Sequence, residues 1–481
     1  MVKRLSRGLL SLLLLTGGYA VQAQQYYNIK DYGARGDGIA LDSKAINKAI
    51  EAAVGKGGGT VYVPAGNYLC GSIRLKSNLN LMVDAGAVLI AAEVRAENDY
   101  DEEEPGAGNE YQDQGHSHFH NSLIWGDSIH DVSITGTGLI WGKGLYRGGT
   151  KEKQSANKAI ALVRSRNVII RDITILHGGW FAILFTGTDN ITLDNVKMDT
   201  NRDGVDVDAC KNVRISNCTI NAPTDDAICL KSSYGLGYGR STEHCTITNC
   251  QVSGYDEGTV LDGTYKRTPN PRRLPNGRIK FGTESNGGFK NITISNCVFD
   301  YSCGLALETV DGALLEDVAV DNITMRDVQD DPIFLRLGAR MRGPKDASVG
   351  ALRRVTISNV VAYNAPATGT CTISGIPGHD IEDVELHHIR IYYKGGGVDS
   401  TRGIDMAENE AGYPRPGMFG HCPAYGLYVR HAKNISVSDI YLHYMNTERR
   451  SPMAFDDVKG LYLNHVEAQR EKRVKEKLTR P

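Results

Sequence analysis

The sequence predicts an all-β chain wound as a right-handed parallel β-helix, a solenoid with a short N-terminal capping helix. Three observations predict it. A short phrase recurs along the chain: Asn, apolar, any, apolar, any, Asn or Asp, apolar. The phrase alternates with period two, which is the period of a strand. Glycine makes up 54 of 481 residues while aromatics are only 7%, a balance that suits tight corners and thin stacked rows. The apolar share of 41% excludes a disordered chain, and the glycines keep no triplet, which excludes collagen.

The N-terminus comes first. Lys3, Arg4 and Arg7 precede an apolar run from Leu9 to Leu15, and Val21-Gln22-Ala23 offers small residues for cleavage. Residues 1–23 read as a secretory signal peptide cut after Ala23, which places the mature chain outside the cell or in a periplasm. An uncleaved anchor is the alternative, but the run is short for a membrane span. No later segment is long and apolar enough to cross a membrane. Removing the segment leaves 51 basic against 56 acidic residues. A protein held on nucleic acid by phosphate contacts is normally more basic, so that partner is excluded.

Residues 24–465 form one β-helix domain in this reading. After Asp31-Tyr32-Gly33-Ala34, a helix fits Lys44 to Val54, with Asp42 or Ser43 as N-cap and Ala45, Ile46, Ala49, Ile50 and Ala53 as its apolar stripe. It would cap the open end of the solenoid, where strand edges lack partners. Gly57-Gly58-Gly59 ends it; no Lys-Ser/Thr follows, so a phosphate loop is excluded.

The repeat then takes over. The first apolar residue of each phrase is Val168, Ile191, Val213, Cys245, Ile292, Val318, Val355, Val384, Ile435 and Leu461. The minimum spacing is 22, with longer insertions of up to 51, a solenoid with loops on one side. Asn at a fixed offset can ladder between coils. A β-propeller is the runner-up, disfavoured because its repeats are longer and its blades antiparallel. Residues 466–481 are charged and read as a frayed tail.

Ten cysteines include several at the repeat position, such as Cys218 and Cys297, and there is no CxxC pair. A zinc ribbon is excluded, and buried thiols or some disulfides remain.

Two successive coils carry the chemistry. The first holds Asn201-Arg202-Asp203-Gly204-Val205-Asp206-Val207-Asp208, the second Thr224-Asp225-Asp226-Ala227-Ile228-Cys229-Leu230-Lys231. Matching Val205 and Val207 with Ile228 and Leu230 sets an offset of 23. Strands stack about 4.8 Å apart, so Asp226 falls beside Asp203, with Asp225 adjacent. Three crowded carboxylates cost energy and raise some pKa values. Glycoside hydrolysis needs such a group: one carboxyl protonated for the leaving oxygen, another ionised to activate water or attack the sugar. A calcium site or solvated acidic turns are the bland alternatives.

At these residues the sequence resembles glycoside hydrolase family 28, the polygalacturonase and rhamnogalacturonase family. Its Asn-Thr-Asp-Gly and following Asp-Asp correspond to Asn201-Arg202-Asp203-Gly204 and Asp225-Asp226. The resemblance extends from Asp31-Tyr32-Gly33-Ala34 through Ile73-Arg74-Leu75-Lys76-Ser77 into the repeats. It implies Asp225 as general acid, Asp203 and Asp226 as holders of the attacking water, and inversion at the anomeric carbon. It implies no metal and no cofactor.

The departures redirect the substrate. Arg202 stands where the family has Thr. The family's Gly-His-Gly becomes Gly254-Tyr255-Asp256-Glu257-Gly258, so Asp256 or Glu257 replaces the His. Such a carboxylate looks similar to the rhamnogalacturonan-cleaving branch. Arg278-Ile279-Lys280 spells the triplet that grips a substrate carboxylate, yet it precedes Gly282-Thr283-Glu284-Ser285 and reads as a chance match. The position that matches the motif, Gly304 to Thr309, has neither Arg nor Lys. Substitute cations are Arg202, Lys231, Arg336, Arg340 and Arg342, since a bidentate Arg suits a carboxylate.

The expected protein is therefore a secreted, monomeric, inverting hydrolase of pectic oligo- or polysaccharide other than plain homogalacturonan. Asn201, Arg202, Lys231, Asp256, Glu257 and Arg336 are its expected substrate contacts. A β-helix polysaccharide lyase and a non-catalytic carbohydrate-binding β-helix are the competing classes. The long insertions would close one end of the cleft and favour exo action. His116, His118 and His120 alternate, so in a strand they would share a face. Glu102-Glu103-Glu104 reads as a solvated loop, and Met418 to Tyr425 as a cleft wall or a cover over the coil.

Overall fold

The structure, a computed structural model, describes residues 26–93, 100–148, 156–269, 273–398 and 406–471. The expected signal segment with its Ala23 cleavage point lies outside these residues, as do residues 472–481 of the expected tail.

The alternating phrases form strands because each presents one apolar row, and that row is covered only by the next coil. The described residues build a 32-stranded sheet in which neighbouring coils pair in parallel. The apolar positions read from the repeat lie directly opposite one another. Val168 faces Ile191, Ile191 faces Val213, and Val213 faces Cys245. Cys245 faces Ile292, then Val318, Val355, Val384, Ile435 and Leu461 follow in the same column. All but Leu461 are buried. Filling such a row contributes about 1.5–3 kcal/mol per buried aliphatic side chain. The variable insertions leave this register untouched and loop out between strands.

Asparagine turns the corners and ties the coils. Asn167, Asn190 and Asn212 have φ of 56°, 55° and 57°, the left-handed region that Asn tolerates better than most residues. Asn190 Nδ2 donates to Asn167 Oδ1 at 2.9 Å, and Asn212 Nδ2 donates to Asn190 Oδ1 at 2.8 Å.

The helix Ser43–Val54 buries Ala45, Ile46, Ala49, Ile50 and Ala53, as its stripe predicts, and Gly55 follows it. Its N-cap is Asp42. The Asp42 carboxylate does not cap the helix; it accepts from Arg35 N and Gly36 N at 2.6 and 2.9 Å. The helix packs against the strands Tyr26–Asn28 and Gly59–Val63 at the first coil. At the other end the strand Ser451–Ala468 takes in Val466 to Ala468, residues expected to be tail. No described helix is long and apolar enough to cross a membrane.

The ten cysteines are buried free thiols rather than disulfides. His116, His118 and His120 lie outside any strand, so the condition for a shared face is not met; His116 ends a short 3-10 turn, Gln114–His116, and packs on Phe181. His118 Nδ1 lies 2.6 Å from the Glu104 carbonyl, while His120 stacks on Trp125 with ring centroids 4.0 Å apart. Glu104 is also more than a solvated residue. Its carboxylate accepts from Phe119 N and His120 N at 2.8 and 2.9 Å and organises this loop.

Candidate active site

The offset of 23 holds: Val205 faces Ile228 and Val207 faces Leu230. Asp203 opens the strand Asp203–Asp208, and Asp225 and Asp226 sit in the turn before the strand Ile228–Ser232. Gly204 N donates to the Asp226 carbonyl at 2.9 Å. A Cβ on Gly204 would lie 2.3 Å from the Ala227 carbonyl oxygen. Glycine therefore lets the two coils close and brings Asp203 against the Asp pair. One carboxylate oxygen from each of Asp203, Asp225 and Asp226 lies within 4.8 Å of the others.

The three carboxylates border a cavity of about 180 Å³, shared with Trp180, Arg202, Lys231, Lys280, Glu284, Arg340, Arg342 and Tyr413 among others. Their surroundings differ. Burial pushes the Asp203 carboxyl well above the usual carboxylate range, and the charges of Asp225 and Asp206 push the same way. Burial acts on Asp226 too, but Lys280, Arg278 and Lys231 outweigh it and hold its carboxyl well below that range. Arg278 Nε donates to Asp226 Oδ1 at 2.9 Å, and Lys280 Nζ stands 3.6 Å from Oδ2. Arg202 Nε donates to Asp225 Oδ2 at 3.0 Å, and its guanidinium lies 4.7 Å from the Trp180 ring centroid.

A buried layer of charge supports the floor. Lys231 Nζ donates to Glu284 Oε2 at 2.8 Å and stands 3.9 Å from Asp206 Oδ2. His116 lies 3.7 Å from Asp206 and 3.8 Å from Asp208. Burial, joined by the charge of Lys231, lowers the His116 pKa to about 3, so the ring is neutral. Among the described residues, Asp203, Asp225 and Asp226 are the one group whose donor atoms converge as a cation would require. Arg202, Arg278 and Lys280 already supply positive charge there, which opposes a metal.

Of the expected substrate contacts, Arg202 and Lys231 border the cavity and the others do not. Asn201 is fully buried; its Oδ1 accepts from Gly179 N at 3.2 Å and its carbonyl from Arg147 Nη2 at 2.8 Å, so it joins coils beneath the site. Asp256 is occupied by Thr268. Glu257 lies 2.6 Å from His177 Nδ1. Both belong to the insertion before the next coil, which resumes at Arg278, whose carbonyl accepts from Ala227 N at 2.9 Å. Arg336 is buried and donates to Ser374 Oγ, to the carbonyl of Gly375, and to those of Glu408 and Asn409. It pins the segment from Met406 to Gly420 that carries Tyr413 to the cavity. Met418, Phe419 and Cys422 pack on Phe334 and Tyr428, so that stretch covers the coil rather than walling the cleft.

Arg278-Ile279-Lys280 is no chance match with respect to the site. Ile279 faces Ile228, one coil after the Asp pair, and both cations reach Asp226. The position Gly304–Thr309 lies one coil further, where Glu308 stands 3.7 Å from Lys280. Trp180 and Tyr413 escaped the sequence reading altogether. Only the rarity of Trp, three in the chain, could have drawn attention to the first.

Two successive coils of a parallel β-helix bring three aspartates to one cavity. Residues 26–163 match the family described as "Rhamnogalacturonase A/epimerase, pectate lyase-like", and residues 113–268 match "Right handed beta helix region". The chain is similar to a "Probable polygalacturonase" of Vitis vinifera, 28% identical over 327 residues, covering 62% of this chain and 60% of that protein. It is 24% identical over 400 residues to an "Exopolygalacturonase" of Platanus acerifolia, covering 78% and 92%. A solved exopolygalacturonase from Thermotoga maritima superposes with a TM-score of 0.61 at 20% identity, covering 77% of this chain and 87% of that one. The surface adhesin PfbA of Streptococcus pneumoniae shares the fold with a TM-score of 0.54 at 17% identity, covering 91% of each chain. The chain has a right-handed parallel β-helix fold and is similar to polygalacturonases of glycoside hydrolase family 28.

Proposed function

We propose that this protein is an exported glycoside hydrolase that cleaves O-glycosidic bonds in pectic oligo- or polysaccharide. One observation carries the reading: three carboxylates converge on an open cavity while their environments push two of them apart, Asp203 up and Asp226 down. A protonated and an ionised carboxyl side by side are what glycosidic cleavage requires. Similarity to the two plant polygalacturonases supports the pectic substrate. The family's Gly-His-Gly is absent at Gly254 to Gly258, and that departure favours a rhamnogalacturonan-type substrate over plain homogalacturonan.

Inversion follows the resemblance. Proton NMR of the first turnovers decides: the inverted anomer is expected, and the retained anomer would refute it.

The similarity to an adhesin supports a second reading, a non-catalytic carbohydrate-binding solenoid. A screen of pectic oligosaccharides with product separation tests the first. Asp203→Asn and Asp225→Asn are each expected to abolish product while leaving the thermal transition intact. Full turnover in both variants would remove the site assignment. Loss of cleavage on adding a chelator would favour a lyase instead.

A further inference from the structure

We propose that the cavity receives a neutral sugar, held by its hydroxyl groups with Glu284 as their acceptor, and that it excludes a uronate there. This rests on the reading of the cavity as the substrate site and names the class of sugar it takes.

Among the described residues, each cation that borders the cavity already faces a carboxylate. Arg202 Nε lies 3.0 Å from Asp225 Oδ2, and Lys280 Nζ lies 3.6 Å from Asp226 Oδ2. Lys231 Nζ lies 2.8 Å from Glu284 Oε2, and Arg340 Nε donates to Asp311 Oδ1 at 2.9 Å. A second buried carboxylate stands near each lysine, Asp206 at 3.9 Å from Lys231 and Glu308 at 3.7 Å from Lys280. A substrate carboxylate is gripped best by a guanidinium whose fork is free. Arg342 is the least committed, with Nη1 3.0 Å from Asp113 Oδ1 at the rim. Yet Glu284 Oε1 stands 3.7 Å from that same nitrogen. A uronate that displaced Asp113 would meet the Glu284 carboxylate, and like charges repel.

The wall offers the chemistry that hydroxyls need. Glu284 is buried near the end of the strand Ile279–Ser285 and borders the cavity. Burial would raise its carboxyl, but the charge of Lys231 outweighs that and holds it well below the usual carboxylate range. Its Oε2 accepts from Lys231, whereas its Oε1 accepts no hydrogen bond among the described residues. A buried acceptor without a donor is costly. A sugar hydroxyl is a donor that satisfies it; an ionised carboxylate donates nothing. Beside it the Thr283 hydroxyl accepts from Lys280 Nζ at 3.2 Å and keeps its own proton to give. The aspartates sit at the beginning of these strands, Lys231 and Glu284 toward their ends. A sugar whose glycosidic bond lies at the aspartates therefore meets Glu284 with the hydroxyls on its far side.

Binding of monosaccharides tests this without turnover. Titration calorimetry compares D-galactose with D-galacturonate and D-glucose with D-glucuronate, pairs that differ only at C6, and adds L-rhamnose. At least one neutral sugar should bind the wild-type protein, and tighter than either uronate by about tenfold or more. Binding of no neutral sugar, or of a uronate as tightly, overturns the proposal. Glu284→Gln should weaken the neutral sugar about 10–100-fold, the worth of a hydrogen bond to a charged group. Glu284→Asp, which keeps the charge but retracts the oxygen, should weaken it too. Wild-type affinity in either variant overturns the role of Glu284, and should one variant fail to fold, the other and the wild-type ranking still decide. On the oligosaccharide found by the screen, the residue that acquires the new anomeric hydroxyl should be neutral; a uronate there overturns the proposal. Absence of any cleavage would sink the hydrolase reading alone, because the ranking of monosaccharides needs no reaction.

Discussion

At the scale of single residues, the site works through opposed electrostatics over a few ångströms. Asp226 stays ionised because Lys280 and Arg278 outweigh the effect of its burial. As the base of the proposed reaction it must be ionised, so activity falls when pH drops through its pKa. Arg278→Ala or Lys280→Ala removes one of the opposing charges, and the pKa rises. The acid limb of the kcat/KM profile should therefore move to higher pH in each variant, and further in the double variant. An unmoved limb would show that Asp226 is not the group titrating. The same linkage bears on folding. A carboxyl depressed in the folded state adds stability above its unfolded value, about 3.9, and that stability is lost as pH falls further. The aspartates were legible in the sequence because period-two alternation and an offset of 23 settle which residues stack. Lys280 and Arg278 were legible as residues but not as partners. Their coil resumes only after an insertion whose length hides which turn it rejoins.

At the scale of elements, corners and straps matter more than strands. Asn190 both accepts from Asn212 and donates to Asn167 while holding φ at 55°. Asn190→Ala should cost roughly 1–3 kcal/mol, from two hydrogen bonds of about 1 kcal/mol each and the left-handed backbone. Asn190→Gly keeps the backbone freedom and should cost less; chemical denaturation of both variants separates the two terms. Arg336 acts at a distance of another kind. Its guanidinium, with Arg430 donating to the Met406 carbonyl at 2.8 Å, anchors the strap beneath Tyr413. Arg336→Leu should leave the coils folded but raise amide hydrogen exchange across residues 406–420, with KM rising more than kcat falls. Unchanged exchange there would remove the anchoring role. Nothing in the spacing of the repeat marks Arg336 as an anchor. It occupies an outward position on the strand Ile333–Leu337 that looks, in sequence, the same as a cleft position.

At the scale of the whole molecule, a solenoid lengthens without widening its core, so added coils extend one continuous apolar interior among the described residues. The cysteines follow the same logic, filling narrow inward positions as small apolar groups. Cys218 and Cys250 align in successive coils, as do Cys250 and Cys297. A thiol reagent such as a dithionitrobenzoate should therefore label none of the ten in the native protein and all ten after unfolding. The thermal transition should not move on adding reductant; a reductant-sensitive transition would show that disulfides form.

The sequence by itself determined the coil register, the helix stripe at the capped end and the meeting of Asp203 with Asp225 and Asp226. These depend on local periodicity and on matching adjacent rows, and both are written in consecutive residues. Only the tertiary structure decided which cations face the carboxylates, that Asp256 and Glu257 do not border the cavity, and that Arg336 is an anchor. Those outcomes depend on where long insertions return to the stack, and on which outward side chain finds a partner before it finds solvent. Neither is set by the period of the repeat.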